Sequence, residues 1–260
     1  MNFLVIAVNG FREGIRKKTL IGFLLVALLV IGSSTFLTVF SPGQEIKMVK
    51  DVCLAAVSMF GMLIAIFTSG SMVPTEIENK TIYTVLSKPL RRFEYLMGKF
   101  VGIQFIVILN LALMSVLSLA ILYTREHILS TVMLKAVFLT YFELMIVSAF
   151  TFAVSVVSSS AVLPIICGAF IYLVGHLVEY LKGLSTHAAE EGHAFIAALT
   201  KTLYLILPDL NNFNLRDQVI HLQPNDPRIG VTLWTLALYG LANVAVAIFI
   251  TYALFRRKEL

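Results

Sequence analysis

Three polar side chains lie deep inside long apolar runs of this 260-residue chain: Asn110, Glu143 and Asn243. Each is ten to twelve residues into its run, a position near the middle of a lipid bilayer. An ionised carboxylate is costly in hydrocarbon, so Glu143 is expected to be protonated, to bond an amide such as Asn110 or Asn243, or to face a wet cavity. The three residues are candidates for a polar translocation pathway or a proton-coupled gate, and hydrogen bonds that only join helices are the alternative.

A second group of residues, which could act as metal ligands, surrounds the end of a later apolar run. His176 and Glu179 are three positions apart, and they are followed by His187, Glu190, Glu191 and His193. Imidazole and carboxylate groups bind zinc and copper. The spacing is irregular and lacks the H-E-x-x-H pattern, so we predict no metal site, and a solvated loop is favoured. His176 and Glu179 are the residues from which such a site would have to be built.

The sequence contains no pattern for holding a nucleotide phosphate. A P-loop requires G-x-x-x-x-G-K-[ST], but Gly98-Lys99 is followed by Phe100, and Phe93 occupies the first glycine position. We therefore predict no cofactor bound by this chain and no catalytic residues. Cys53 and Cys167 lie in apolar runs without a C-x-x-C spacing, which is typical of small buried side chains.

The elements that must position these residues follow from the composition. Hydrophobic residues make up 58% of the chain and charged residues 13%, with a mean hydropathy of +0.89, whereas soluble domains are about a quarter charged. A single soluble core could not hide so much apolar surface. We predict an all-α membrane protein with six transmembrane helices, at Thr19–Phe40, Val52–Val73, Phe100–Tyr123, Thr131–Val157, Ala161–Leu181 and Val231–Phe255.

The net charge of +5 is interpreted as a signal of membrane topology, and no nucleic-acid partner is predicted. With the N-terminus in the cytoplasm, 12 of the 20 Lys and Arg residues fall on cytoplasmic segments. The positive-inside rule then favours a plasma (inner) membrane protein with both termini cytoplasmic. The first apolar run has 22 residues and no A-x-A site after it, so it is interpreted as an uncleaved anchor.

Two segments outside the spans show amphipathic patterns. Residues 1–18 carry apolar side chains at helical spacing, which predicts a helix in the cytoplasmic-side interface or, alternatively, the start of the first span. Residues 19–260 form the predicted six-span domain, and its loop 182–230 lies outside. Within that loop, Ala194–Leu207 is too short to span, so an amphipathic helix at the outer interface is expected.

The loop between the second and third spans carries the most informative pattern. Pro74 suits the first turn of a helix, the acids Glu76 and Glu78 suit its N-terminal dipole, and Pro89 would end it. Its apolar stripe is Ile77, Thr81, Ile82, Val85 and Leu86. A short helix of this kind must rest on lipid or on another protein. A charged loop that only fixes topology is the alternative.

This segment resembles the signature of ABC transporter permeases of the ABC-2 type, with the run E-x-x-x-x-T-I-x-x-x-L-S-K-P-x-x-R-x-x-Y-L-x-G-K from Glu76 to Lys99. The amphipathic start, the six spans, the stretch 208–217 and the basic ending 255–260 are similar to the same family. The resemblance implies a cytoplasmic coupling helix that sits on a separate ABC ATPase subunit. It places five residues at or near that contact: Glu76, Glu78, Thr81, Tyr83 and Leu86.

The resemblance also implies a second permease subunit, identical or related, and ATP with Mg bound by the partner ATPase. The predicted function is therefore the membrane-spanning permease subunit of an ATP-driven exporter. Two alternatives stay open, namely a membrane scaffold or assembly factor without transport, and an ion-gradient-driven carrier that uses Glu143. The sequence does not indicate the substrate.

Overall fold

The computed structural model describes residues 2–37, 44–79, 92–126, 131–190, 208–214 and 228–257, together with 198, 200 and 202. Within these residues there are eight α-helices, one short 3-10 helix at Asn211–Phe213 and no strand, which confirms the all-α class. The helices are α1 Asn2–Ile15, α2 Lys18–Leu37, α3 Glu45–Glu78, α4 Arg92–Glu126, α5 Thr131–Val157, α6 Val162–His176, α7 Val178–Glu190 and α8 Arg228–Arg257.

Five of these helices, α2, α3, α4, α5 and α8, are long and apolar enough to cross a membrane. The predicted fifth span, 161–181, is not one straight helix. Helix α6 ends at His176, and the chain bends by 64° before it continues in α7. Its 15 residues cover roughly 22 Å at 1.5 Å per residue, less than the ~30 Å of hydrocarbon, so a sixth span requires the bent pair together.

Helices α3 and α4 are longer than the sequence predicted. They contain 34 and 35 residues, and they extend beyond the predicted spans 52–73 and 100–123. Pro74 lies inside α3 and does not open a separate helix. The helix continues past it, since the Asn79 amide still bonds the Thr75 carbonyl oxygen at 3.0 Å. A proline removes one helix hydrogen bond, and membrane helices tolerate this loss when their surroundings satisfy the freed backbone group.

Helix α5 forms the centre of the bundle and packs mainly against α3 and α8. Most of its apolar surface is buried, whereas α2 and α8 expose large side chains such as Leu29, Trp234 and Phe249. Those exposed side chains suit a lipid environment. We call the end of the bundle where α1 lies the α1 end. The opposite end, where α3 and α5 begin and α6 finishes, is called the far end.

Helix α1 packs closely on α4 through glycines spaced four residues apart on both helices. Gly98 and Gly102 of α4 face α1, while Gly10 and Gly14 of α1 face Met72 and Ile106 respectively. A Cβ atom at Gly102 would lie 2.9 Å from the backbone oxygen of Ala7. Small residues at this spacing allow helix backbones to approach in membranes. The N-terminal segment is therefore built onto the bundle and is more than a flexible leader to α2.

Candidate functional site

A group of buried and half-buried polar side chains lies at the α1 end, where α1, α3 and α4 meet. We call it the basal cluster, and its members are Glu13, Lys17, Ser71, Glu76, Tyr95 and Lys99. Glu76 is at its centre, because its carboxylate forms an ion pair with Lys99 and accepts a hydrogen bond from the Tyr95 hydroxyl. The Lys99 ammonium also lies 3.7 Å from the Glu13 carboxylate. The cluster thus ties three helices together.

Lys17 completes the basal cluster between α1 and α2. Its ammonium donates to the Ser71 hydroxyl at 2.9 Å. Burial lowers the pKa of Lys17 from its ordinary value, and the nearby Glu13 carboxylate opposes that shift. Two carboxylates and two ammonium groups are therefore gathered at one place, so their formal charges cancel. A buried ion cluster tolerates a low dielectric only when its charges are balanced in this way.

The basal cluster lies next to the end of α3 and the start of α4, the two helix ends that the predicted coupling segment connects. The chain leaves α3 after Glu78 and Asn79 and enters α4 at Arg92, so residues 80–91 join two helix ends that Glu76 already links through Lys99. Glu78 is exposed, whereas Glu76 is only 7% exposed and directed into the bundle. Thr81, Tyr83 and Leu86 lie outside the described residues. The assignment of these five residues to an ATPase contact stays a prediction.

A polar cavity of about 190 Å³ lies between α3, α5 and α6 toward the far end. An engineered apolar cavity of ~150 Å³ stays dry and holds benzene, whereas a polar cavity of this size has room for several waters. Its walls combine one carboxyl group with an imidazole, a phenol, an amide and two hydroxyls. The lining residues are Leu54, Ser58, Ala136, Thr140, Glu143, Tyr172, His176 and Asn214.

Glu143 is the acidic residue of this cavity and is only 3% exposed. Its Oε1 lies 3.4 Å from Nε2 of His176 and, in the described part of the chain, has no hydrogen-bond partner. The Tyr172 side chain lines the same cavity and lies near this carboxyl group. The Tyr172 and His176 rings pack with their centroids 4.5 Å apart. Helix α6 therefore supplies both polar neighbours of Glu143.

The predicted pathway residues are not brought together. The Asn110 side-chain amide donates to the Ile106 carbonyl oxygen at 2.8 Å, and that of Asn243 donates to the Tyr239 carbonyl oxygen at 2.9 Å. Both bonds stay within their own helices, so neither amide satisfies Glu143. Of the environments expected for Glu143, the cavity is the one observed. Similar depth did not bring the three side chains into contact, because depth does not determine which face of a helix a side chain is on. Their assignment to a translocation pathway stays a prediction.

The two residues considered for metal binding are separated by the end of α6. His176 is its last residue and turns toward Glu143, whereas Glu179 belongs to α7 and its side chain lies outside the described set. Among the side chains that are described, no group of three or more His, Cys, Asp or Glu residues could hold a metal ion. His176 is therefore assigned to the Glu143 cavity.

The sequence contained an unused signal for the Glu143–His176 contact. Helices α5 and α6 form a hairpin around the turn 158–161, and Glu143 and His176 each lie fifteen positions from the nearest residue of that turn. Thr151 and Gly168 also lie at equal sequence distances from the turn, and they pack against each other. Antiparallel neighbours joined by a short loop pair in this register. Applying it would have placed His176 beside Glu143.

The structure thus defines a multi-pass, all-α membrane protein with a buried ion cluster at one end and a polar cavity toward the other. The sequence matches the family described as ABC-2 family transporter protein over residues 4–260. The chain therefore belongs to the ABC-2 transporter family, in agreement with the resemblance seen between Glu76 and Lys99, and it is an ABC transporter membrane subunit. No curated protein matches the sequence.

Proposed function

We propose that this chain is the permease subunit of an ATP-driven exporter and that residues 80–91 are the point at which a partner ATPase acts on it. The observation that carries the proposal is the direct link between α3 and α4 through Glu76 and Lys99 at the base of that segment. A force applied to residues 80–91 would move both helices together, and α1 with them, because Lys99 also faces Glu13. Rigid-body motion of packed helices is a known form of such transitions.

The energy source in this proposal is a separate subunit. The sequence lacks the glycine-lysine pattern that cradles phosphate, so ATP and Mg would be bound by an ABC ATPase. A second permease subunit would complete the path across the bilayer. The α1 end would then face the cytoplasm of a plasma-membrane transporter, with both termini on that side, as the distribution of Lys and Arg favours.

Glu78 offers the sharpest test of the ATPase contact, since it is exposed while Glu76 is buried in the basal cluster. The tagged full chain is purified from its native membrane with its associated P-loop ATPase, and the ratio of the two proteins is measured. Glu78→Lys should reduce the amount of ATPase recovered by at least about tenfold, which corresponds to 1.4 kcal/mol. Asp51→Lys makes the same charge reversal at the far end and should leave the ratio unchanged.

The same preparation separates the exporter from its alternatives. In the purified complex, ATP hydrolysis should fall in the Glu78→Lys variant relative to Asp51→Lys. A hydrolysis rate that is identical with and without this chain would favour a scaffold. Solute movement in vesicles that lack ATP, lost in Glu143→Gln, would favour the ion-gradient carrier.

A further inference from the structure

The orientation of the His176 ring determines which of its nitrogens carries hydrogen. Nδ1 lies 3.1 Å from the backbone carbonyl oxygen of Tyr172. A carbonyl oxygen can only accept, so Nδ1 is the donor, and in the neutral ring Nε2 is then an acceptor. That acceptor faces Oε1 of Glu143 at 3.4 Å. Two acceptors would thus oppose each other unless a proton lies between them.

We propose that Glu143 and His176 form a proton-binding site that holds one exchangeable proton between Oε1 and Nε2 and thereby fastens the end of α6 to the middle of α5. With the proton on Nε2, an imidazolium ion faces a carboxylate. With the proton on Oε1, a carboxylic acid donates to a neutral imidazole. Loss of the proton to a water in the cavity leaves a carboxylate facing a lone pair, and the two groups repel each other.

The surroundings favour a proton over a larger ligand. Oε1 is fully enclosed in the described structure, so a ligand atom cannot reach it without movement of the helices. A structural metal ion is usually held by about four ligands, and in the cavity lining only Glu143 and His176 are common metal ligands. The adjoining polar cavity of about 190 Å³ gives the proton a wet route of exchange.

The position of the pair gives the proton a mechanical consequence. His176 is the last residue of α6, at the 64° bend that leads into α7. One residue earlier in α6, the Gly175 carbonyl oxygen accepts a hydrogen bond from the Leu210 amide at 3.1 Å. The proton therefore joins the bend to α5 at a place where the chain is already attached to residues 208–214. Loss of the proton would release α6 from α5 and let the far end of α6 move.

Other titratable groups lie near the cavity but do not line it in the described structure. Tyr172 is the remaining titratable side chain of the lining, and its hydroxyl already interacts with Glu143. The titratable and charged groups toward the same end, on the elements packed around the site, come from five helices and the segment 208–214. They are Glu45, Lys47, Lys50, Asp51 and Cys53 of α3, Tyr123 and Arg125 of α4, Lys135 and Tyr141 of α5, Tyr180 and Lys182 of α7, Asp209, and Tyr239 of α8.

The first test observes the proton directly in the full chain, reconstituted in lipid nanodiscs and labelled with ¹⁵N-histidine. The chain has five histidines, and His176→Gln identifies the His176 signals by their absence. The Nε2 signal of His176 should change with pH in the native sequence. In Glu143→Gln the amide donates to Nε2 and carries no titrating proton, so the pH dependence of this signal should be altered or lost.

The second test measures the mechanical consequence by the distance between two spin labels. Exposed Tyr180 of α7 and Leu134 of α5 are replaced by labelled cysteines in a chain with Cys53→Ser and Cys167→Ser. The distance distribution should change across the His176 transition, and the change should be absent in Glu143→Gln. Asn243→Ala, which removes an amide bonded within its own helix, should behave like the native sequence.

Neither test requires ATP or a partner, so failure here leaves the proposed export function standing. The proposal is overturned if His176 titrates with the same midpoint in Glu143→Gln, or if it does not titrate over the pH range in which the protein stays folded. It is also overturned if the label distance is independent of pH. Binding of Zn²⁺ to the metal-free chain, abolished by both variants, would replace the proton with a metal.

Discussion

Two buried glutamates of this membrane subunit have different polar surroundings. Glu76 in the basal cluster is 7% exposed and is paired with Lys99, with Glu13 and Lys17 balancing the remaining charge. Glu143 is 3% exposed and faces a histidine, a phenol and a cavity. Burial is therefore similar at the two positions, and the difference lies in what compensates the charge. A fully paired carboxylate stabilises the structure, whereas one whose pairing depends on a proton can respond to its environment.

The two glutamates also differ in what they connect. Glu76 holds together the ends of α3 and α4, from which residues 80–91 extend. Glu143 contacts the last residue of α6, at a bend. In the proposed transporter, the first connection would transmit force and should stay intact throughout the cycle. The second would form and break.

The largest effect should come from breaking the basal cluster. Glu76→Leu leaves the Lys99 ammonium buried without its main partner, which should lower the free energy of unfolding by about 3–5 kcal/mol. The double variant Glu76→Leu with Lys99→Met should recover much of that loss, because both charges of the pair are then removed together. Unfolding in mixed micelles titrated with SDS measures both. A single variant within about 1 kcal/mol of the native sequence would contradict the ion pairing.

The next effect concerns the attachment of α1 to this cluster. In Gly102→Val the added side chain would collide with the backbone of Ala7, and we expect a loss of about 1–3 kcal/mol. Gly22→Val is the matched control, since nothing lies within 4 Å of a Cβ atom at Gly22. The same unfolding assay compares them. Equal stability of the two variants would mean that α1 does not need its close approach to α4.

A smaller effect is expected at Glu143, and its size distinguishes Glu143 most clearly from Glu76. Glu143→Gln keeps the shape of the side chain and provides an amide donor for Nε2 of His176, so the change in unfolding free energy should be less than about 1 kcal/mol. Only the response to pH should disappear. Destabilisation as great as that of Glu76→Leu would instead make Glu143 a structural residue of the same kind.

The smallest effect should be seen at an exposed ion pair near the bend. The Lys182 ammonium lies 3.6 Å from the Asp209 carboxylate, and its side chain is 54% exposed. Lys182→Ala should change the free energy of unfolding by about 0–1 kcal/mol, and less at high salt. A loss above ~2 kcal/mol in the SDS titration would show that this pair, and not only the proton, holds the bend.

Much of the helical framework could be predicted from the sequence. The first span was placed at Thr19–Phe40 and the helix covers Lys18–Leu37, because a continuous apolar run is a strong local signal. The bounds of α3 and α4 were too short, since Glu76, Tyr95 and Lys99 look like the polar end of a span when each is considered alone. They satisfy one another only when the two helices are adjacent.

The candidate site was predicted only in part. Glu143 was identified because an acidic residue in an apolar run is conspicuous. Its partners were not, since His176 was placed near the outer end of a straight span that would have ended at Leu181, and Tyr172 was not singled out. The bend after His176 and the register of the hairpin bring these side chains to the depth of Glu143.

The sequence by itself determined that this is an all-α membrane protein of the ABC-2 type, because apolar run length and a local motif are properties of consecutive residues. Only the tertiary structure decided which buried charges meet, because the faces of separate helices and the place of a bend depend on packing between distant segments. Glu76 and Glu143 were both visible as acidic residues at or within apolar runs. Their different partners, a lysine and a tyrosine in one case and a histidine beside a cavity in the other, distinguish their surroundings.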